Sequence, residues 1–203
     1  MGQIRVADGT LVDPYNPTVA DVKLDVLAHS VSQLNRFTGH IKYPFSVGQH
    51  TLNVAAVVNA IKTYRDDDER RMHVRAALIH DLSEAWFNDM SSPVKAENPD
   101  YKKAEKAAGC FIAQTLGVPF VYLKNIDLFD KRMYKTESRM LFPIRLGEGM
   151  GDDRRELPDE LLRRCHFEEI SWREVRDSLF AVLQKYFPDH TPTIAFWDHP
   201  SYG

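Results

Sequence analysis

Apolar side chains recur at helical spacing along most of this chain. Leu24, Leu27, Val31 and Leu34 keep the 3-4-3 rhythm of one helix face. Val47, Val54, Val57 and Ile61 form a second stripe, and His50 falls on it. A third helix is predicted from about Met72 to Phe87, with Val74, Ala77, Leu78 and Asp81 along one face. Residues 100–116 read as a fourth, closed by Gly117 at a C-terminal cap. Residues 125–141 read as a fifth, with Ile126, Asp130, Met133, Glu137 and Met140 in register. Ser171 and Glu174 have capping-box spacing and open a last helix that runs to about Tyr186. Ahead of all these, "IRVADGTLVDP" pairs two short β-branched runs around Asp8-Gly9, a small hairpin. "RDDDERR" (65–71) reads as a solvated loop, "RLGEGMGDDRREL" (145–157) as a mobile one, and the Pro-rich tail as extended.

The expectation is an all-α protein, a helical bundle with a small N-terminal β-hairpin. Its 203 residues suit one domain, 1–203, with the C-terminal helix and tail at 156–203. A net charge of −3 argues against duplex nucleic acid as a partner. No apolar run is long enough for a membrane span, and the N-terminus lacks a signal-peptide core. Cys110 and Cys165 lie far apart without a CxxC pattern, so a reducing cytoplasm is the simpler setting than a disulfide framework.

Against this ordinary background, three stripes each carry one polar residue where an apolar one belongs: His50, Asp81 and Asp130. Any one alone reads as a satisfied core group. Three on separate helices, with His80 beside Asp81, point to a divalent cation that neutralises the carboxylates and takes imidazole lone pairs. Two His and two Asp suit Mn, Fe, Co, Ni or Zn better than Ca.

Around these residues, "IHDLSEAWFNDMSSPVK" resembles the signature of HD-domain phosphohydrolases, named for this His-Asp pair. "LAHSVSQLNRFTGHIKYPFSVGQHTLNVA" resembles the same domain in two groups, the YfbR-like 5′-deoxynucleotidases and the phage dATP triphosphohydrolases of the DatZ type. "DKRMYKTESRML" is similar to the segment that delivers the last aspartate, and the likeness spans about residues 13–142.

This resemblance implies an HD-domain helical bundle with His50, His80, Asp81 and Asp130 as ligands of a divalent metal. The metal would be Zn, Co or Mn, with Mg where a second ion is bound. It implies Glu84 as the group that activates or positions the attacking water, and Asp89 as a contact to the water or leaving group. Asp89 lies in the family's "GDLPTPVK" segment, where this chain has Asn88 for the glycine and "MSSP" for "LPTP". Arg36, Phe37, Gly39 and Lys95 are the implied substrate contacts. His40, in the loop ahead of His50, is a further phosphate-binding candidate. Phe37 stands where YfbR-like proteins carry a Trp, which keeps an aromatic surface in a different pocket. Glu137, two turns after Asp130, is expected to pair with an arginine such as Arg132 or Arg139.

The implied activity is hydrolysis of a deoxynucleotide by a homo-oligomeric enzyme. The N-terminal segment resembles the phage group more, which favours dATP cleavage to deoxynucleoside and triphosphate. Removal of phosphate from a deoxynucleoside monophosphate is the alternative, and a nucleotide sensor without turnover is another. A phosphodiesterase acting on larger nucleotides would call for a basic groove, and the chain has no basic cluster.

Overall fold

A computed structural model of the chain describes residues 2–144, 156–192 and 194–199. It opens on the expected hairpin, β1 (Ile4–Arg5) antiparallel to β2 (Leu11–Val12), with Ile4 opposite Val12. Gly9 turns it at a φ of 85°, in the left-handed region. The helices follow in order as α1 (Leu24–Val31), α2 (Val47–Ala60), α3 (Asp67–Ile79), α4 (Glu84–Phe87) and α5 (Ser92–Ala96). After them come α6 (Pro99–Thr115), α7 (Phe120–Leu141), α8 (Asp159–Leu162) and α9 (Trp172–Tyr186). The fold is the expected helical one.

Helix ends follow local chemistry. Ser46 caps α2 by accepting from the Gln49 N–H, and Ser171 and Glu174 form the predicted capping box on α9. "RDDDERR", read as a loop, instead starts a helix. The Asp66 side chain accepts from the Glu69 N–H at 2.8 Å, and Asp67, Asp68 and Glu69 fill the first turn of α3, where negative charge suits the helix dipole. At its other end α3 stops earlier than its apolar stripe suggests. His80 Nδ1 donates to the Ala77 carbonyl at 2.7 Å and occupies the acceptor that the Asp81 N–H would use in a continuing helix. The chain then tightens through Leu82 N–H to Ile79 O and Glu84 N–H to Asp81 O before α4 begins. Other departures are smaller. Helix α7 starts at Phe120, α5 and α8 were not foreseen, and the tail makes short 3₁₀ turns at Pro188–His190 and Phe196–Asp198. Most of the 145–157 segment lies outside the described residues.

One continuous apolar cluster joins Leu24 of α1, Val54 of α2, Leu78 of α3, Ile112 of α6, Ile126 and Met133 of α7, Leu161 of α8 and Leu183 of α9. Helix α2 sits centrally and packs on α3, α7 and α9. Its Gly48 permits this approach: a Cβ there would lie 2.8 Å from Ser32 Oγ and 3.1 Å from Val175 Cγ1. The outcome that matters for chemistry is that the first turns of α2, the end of α3 and the middle of α7 meet. No helix among the described residues is long and apolar enough to cross a membrane.

Candidate metal centre

His50, His80, Asp81 and Asp130 each place one donor atom within 4.8 Å of the others. His50 Nε2 is 3.3 Å from His80 Nε2, 3.2 Å from Asp130 Oδ1 and 3.5 Å from Asp81 Oδ2. His80 Nε2 is 3.2 Å from the same Asp81 oxygen. The sequence brought these four together as candidates, and the fold brings them to one point.

The far side of each imidazole decides what they offer there. The Ala77 carbonyl can only accept, so His80 carries its hydrogen on Nδ1. His50 Nδ1 is 2.7 Å from Glu137 Oε1, which sets the same tautomer. Two Nε2 lone pairs and two carboxylates therefore face one space, four acceptors with no donor among them. A divalent cation of the borderline kind resolves this, and the N/O donor set fits Mn, Fe, Co or Zn. Without one, a proton takes its place. Burial and Arg36 push the His50 pKa down, but Glu137 and Asp130 outweigh them and carry it up to about 9.

Glu137 is fully buried and is not paired with Arg132 or Arg139 as expected. Arg139 pairs with Glu156, and Arg132 donates to the Glu156 carbonyl. The partner of Glu137 is Arg36, whose Nη2 and Nε lie 3.1 and 3.2 Å from Glu137 Oε2. Arg36 Nη1 also reaches to 3.8 Å from Asp81 Oδ2. Arg36 thus braces the ligand sphere from behind, through a carboxylate that orients His50. A left-handed run aims it inward: Phe37, Thr38 and Gly39 have φ of 55°, 51° and 77°. Phe37 itself stacks on Tyr134 with ring centres 5.4 Å apart and meets Phe142 edge-on. Gly39 and His40 are exposed, and His40 stands outside the four-residue cluster.

Beside the cluster opens a cavity of about 530 Å³ whose walls include His80, Asp81, Asp130, Glu84 and Lys95. Lys106, Phe120 and Lys124 from α6 and α7 also line it, and periodicity gave no reason to single them out. Glu84 is 6% exposed and its Oε2 has no hydrogen-bond partner. Burial, then the charges of Asp81 and Asp89, raise its pKa well above the carboxylate range. Burial raises Asp89 as well, with Arg36 opposing and Asp81 adding. Lys95 Nζ lies 2.7 Å from Glu105 Oε1 and 4.0 Å from Glu84 Oε1. A second cavity, about 510 Å³ between α2 and α9, is mainly apolar and lies away from the four donors.

The turn that presents Asp89 is strained. Asn88 adopts φ 74° and ψ 157°, a region essentially reserved for glycine that costs about 1–3 kcal/mol for other residues. This explains in physical terms why the resembling motif has glycine there. The Tyr101 hydroxyl holds the turn by bonding to the Phe87 and Asn88 carbonyls, the latter at 3.0 Å. Asn88→Gly should relieve the strain at the loss of one exposed bond, from the Asp89 N–H to Asn88 Oδ1. Glycine's extra unfolded-state entropy offsets part of the relief, so urea unfolding should show a net gain of about 1 kcal/mol. A variant less stable than the parent would contradict the strain.

The model of the family "5'-deoxynucleotidase YfbR-like" matches residues 29–137, which include all four donors, Arg36 and Glu84. The uncharacterized protein YfdR of Escherichia coli (strain K12) is 31% identical over 121 residues, 60% of this chain and 62% of that one. An uncharacterized protein of Rhodobacter capsulatus is 31% identical over 94 residues, 45% of this chain and 46% of that one. The chain thus spans less than two thirds of either relative. With the family match running through more than half of its 203 residues, from the end of α1 to the buried Glu137, the chain belongs to the YfbR-like 5′-deoxynucleotidase family.

Proposed function

We propose that this chain is a metal-dependent 5′-deoxynucleotidase that releases phosphate from deoxynucleoside monophosphates. The observation that carries the reading is the convergence of four acceptor atoms beside a cavity lined by Glu84, one of whose oxygens has no hydrogen-bond partner. His50, His80, Asp81 and Asp130 would hold the ion. When bound, a divalent metal supplies Lewis acidity towards a phosphate oxygen and lowers the pKa of water.

The remaining steps belong to the chain's own residues. Glu84 takes a proton from the water that attacks phosphorus. As the bond from phosphorus to the sugar 5′-oxygen breaks, that oxygen takes up a proton, and Asp89, whose carboxyl burial pushes above its ordinary range, is the side chain assigned to deliver it. Lys95 faces the phosphate as a point charge. Arg36, whose Nε and Nη2 are engaged by Glu137, orients the ligands and brings its positive charge to the substrate site. The described chain acts as one unit, since α9 shares the core of the site-bearing helices.

A second reading, cleavage of a deoxynucleoside triphosphate such as dATP to nucleoside and triphosphate, is favoured by Lys106 and Lys124. They add cationic groups to the same cavity, beyond what one phosphate needs. A nucleotide panel with Mn²⁺, Co²⁺ and Zn²⁺ separates the readings by following nucleoside, phosphate and triphosphate individually. Phosphate and nucleoside from monophosphates are expected. Triphosphate from dNTPs in their place would transfer the proposal to the second reading. Nucleotide binding without any product would make the chain a sensor.

A further inference from the structure

Helix α6 contributes no ligand and no group to the proposed reaction, yet it places two polar side chains one turn apart, Tyr101 and Glu105, against the segment that carries Glu84, Asp89 and Lys95. Glu105 is 9% exposed, a burial that charged side chains accept only with a partner. Its partner is Lys95, at 2.7 Å, on the short helix α5. Lys95 faces a second carboxylate, Glu84, across 4.0 Å, a gap too long for a hydrogen bond. The lysine thus has two acids to choose from, and it sits on the one that takes no part in the chemistry. Glu84 lines the cavity, and its other oxygen, Oε2, is buried without a hydrogen-bond partner.

We infer that Glu105 is a positioning residue: by holding the Lys95 ammonium, it keeps that charge from closing onto Glu84 and leaves the Glu84 carboxylate free for water. This rests on the functional reading above and adds to it a residue on a helix outside the metal-binding elements. Without Glu105 the four-carbon stem of Lys95 lets its ammonium swing across the gap. Pairing with Glu84 would then satisfy an otherwise unpaired buried cation. An ammonium closed onto Oε1 would lower the basicity of the whole Glu84 carboxylate, and with it the power to take the water's proton. The expected damage therefore falls on kcat rather than on KM.

The test combines kinetics with one measurement that needs no turnover. With the metal-loaded protein, Glu105→Met should lower kcat by about tenfold or more and move KM little, since a general base supplies about 10²–10⁴. Glu105→Gln, which still accepts a hydrogen bond from Lys95, should recover most of the rate. In a Lys95→Met background there is nothing left to hold. Adding Glu105→Met should then change kcat by less than about twofold, the non-additivity of residues that act as one unit. A further loss of about tenfold in that background, or full activity of Glu105→Met alone, overturns the inference. A crystal structure of Glu105→Met decides independently of activity. Lys95 within hydrogen-bond distance of Glu84 supports the role, and Lys95 unmoved or turned to solvent refutes it. Failure of the functional reading looks different, because the wild-type protein would then release no product from any nucleotide.

Discussion

Asp81→Ala is expected to abolish nucleotide hydrolysis and to strip most of the bound metal while the helical fold persists. Asp81 Oδ2 lies within 3.2–3.5 Å of both imidazole Nε2 atoms, so its removal takes away a carboxylate that contacts both. Losing even an outer partner of a metal ligand costs about 10–100-fold in affinity, and a direct ligand costs at least that. The fold should survive because Asp81 lies two residues beyond the end of α3, is not part of the apolar cluster, and retains partial solvent access. Metal analysis after dialysis, circular dichroism and nucleoside release report the three outcomes separately. Full metal content with full activity would remove Asp81 from the site. In the unsubstituted protein, metal loading should weaken as pH falls below about 9, because the proton that His50 then holds must leave before the ion binds. An apparent metal affinity that stays flat down to mildly acidic pH would show that no proton competes with the ion at His50.

The reach and the limit of sequence reading lie close together in this site. His50 and Asp130 were legible because each interrupts an apolar stripe, and α2 and α7 formed around those stripes. Asp81 was legible on the same grounds, but the local structure there was not. The spacing of Val74, Leu78 and Leu82 suits a helix that continues, and only the bond from His80 to the Ala77 carbonyl shows why it stops. The partner of Glu137 was out of reach for another reason. Arg36 lies 101 residues away, and no local periodicity encodes a contact of that separation, so nearer arginines were the natural candidates. Charge alone misled at residues 65–71, where the acids are a helix start rather than a loop. The Asn88 departure could be noticed in the sequence as a missing glycine, but its meaning depends on a φ of 74°. Tyr101 and Glu105 gave no signal at all. On an amphipathic helix they look like surface residues until α5 and the Asn88 turn are laid against them.

Glu84→Gln should separate catalysis from both metal binding and stability. The substitution keeps the volume of the side chain and leaves all four metal donors in place, so metal content should match the parent. The amide cannot take a proton from water, and kcat should fall by about 10²–10⁴, or roughly 3–5 kcal/mol of barrier. Stability should move the other way. Burial beside Asp81 and Asp89 raises the Glu84 pKa in the folded chain, so folding favours its protonated form. Such a group supports the fold fully below its unfolded pKa, and that support is lost as pH rises through the folded value. The metal-free parent should therefore lose part of its stability between the ordinary carboxylate range and the raised value, while the Gln variant keeps it. Urea unfolding of both proteins across that range shows whether the two curves diverge. Curves that stay parallel would mean that Glu84 carries no strain, and unchanged turnover would mean that it carries no chemistry. A variant that is more stable, metal-replete and nearly inactive would show that the buried, unpartnered carboxylate is kept for its reaction at the expense of the fold.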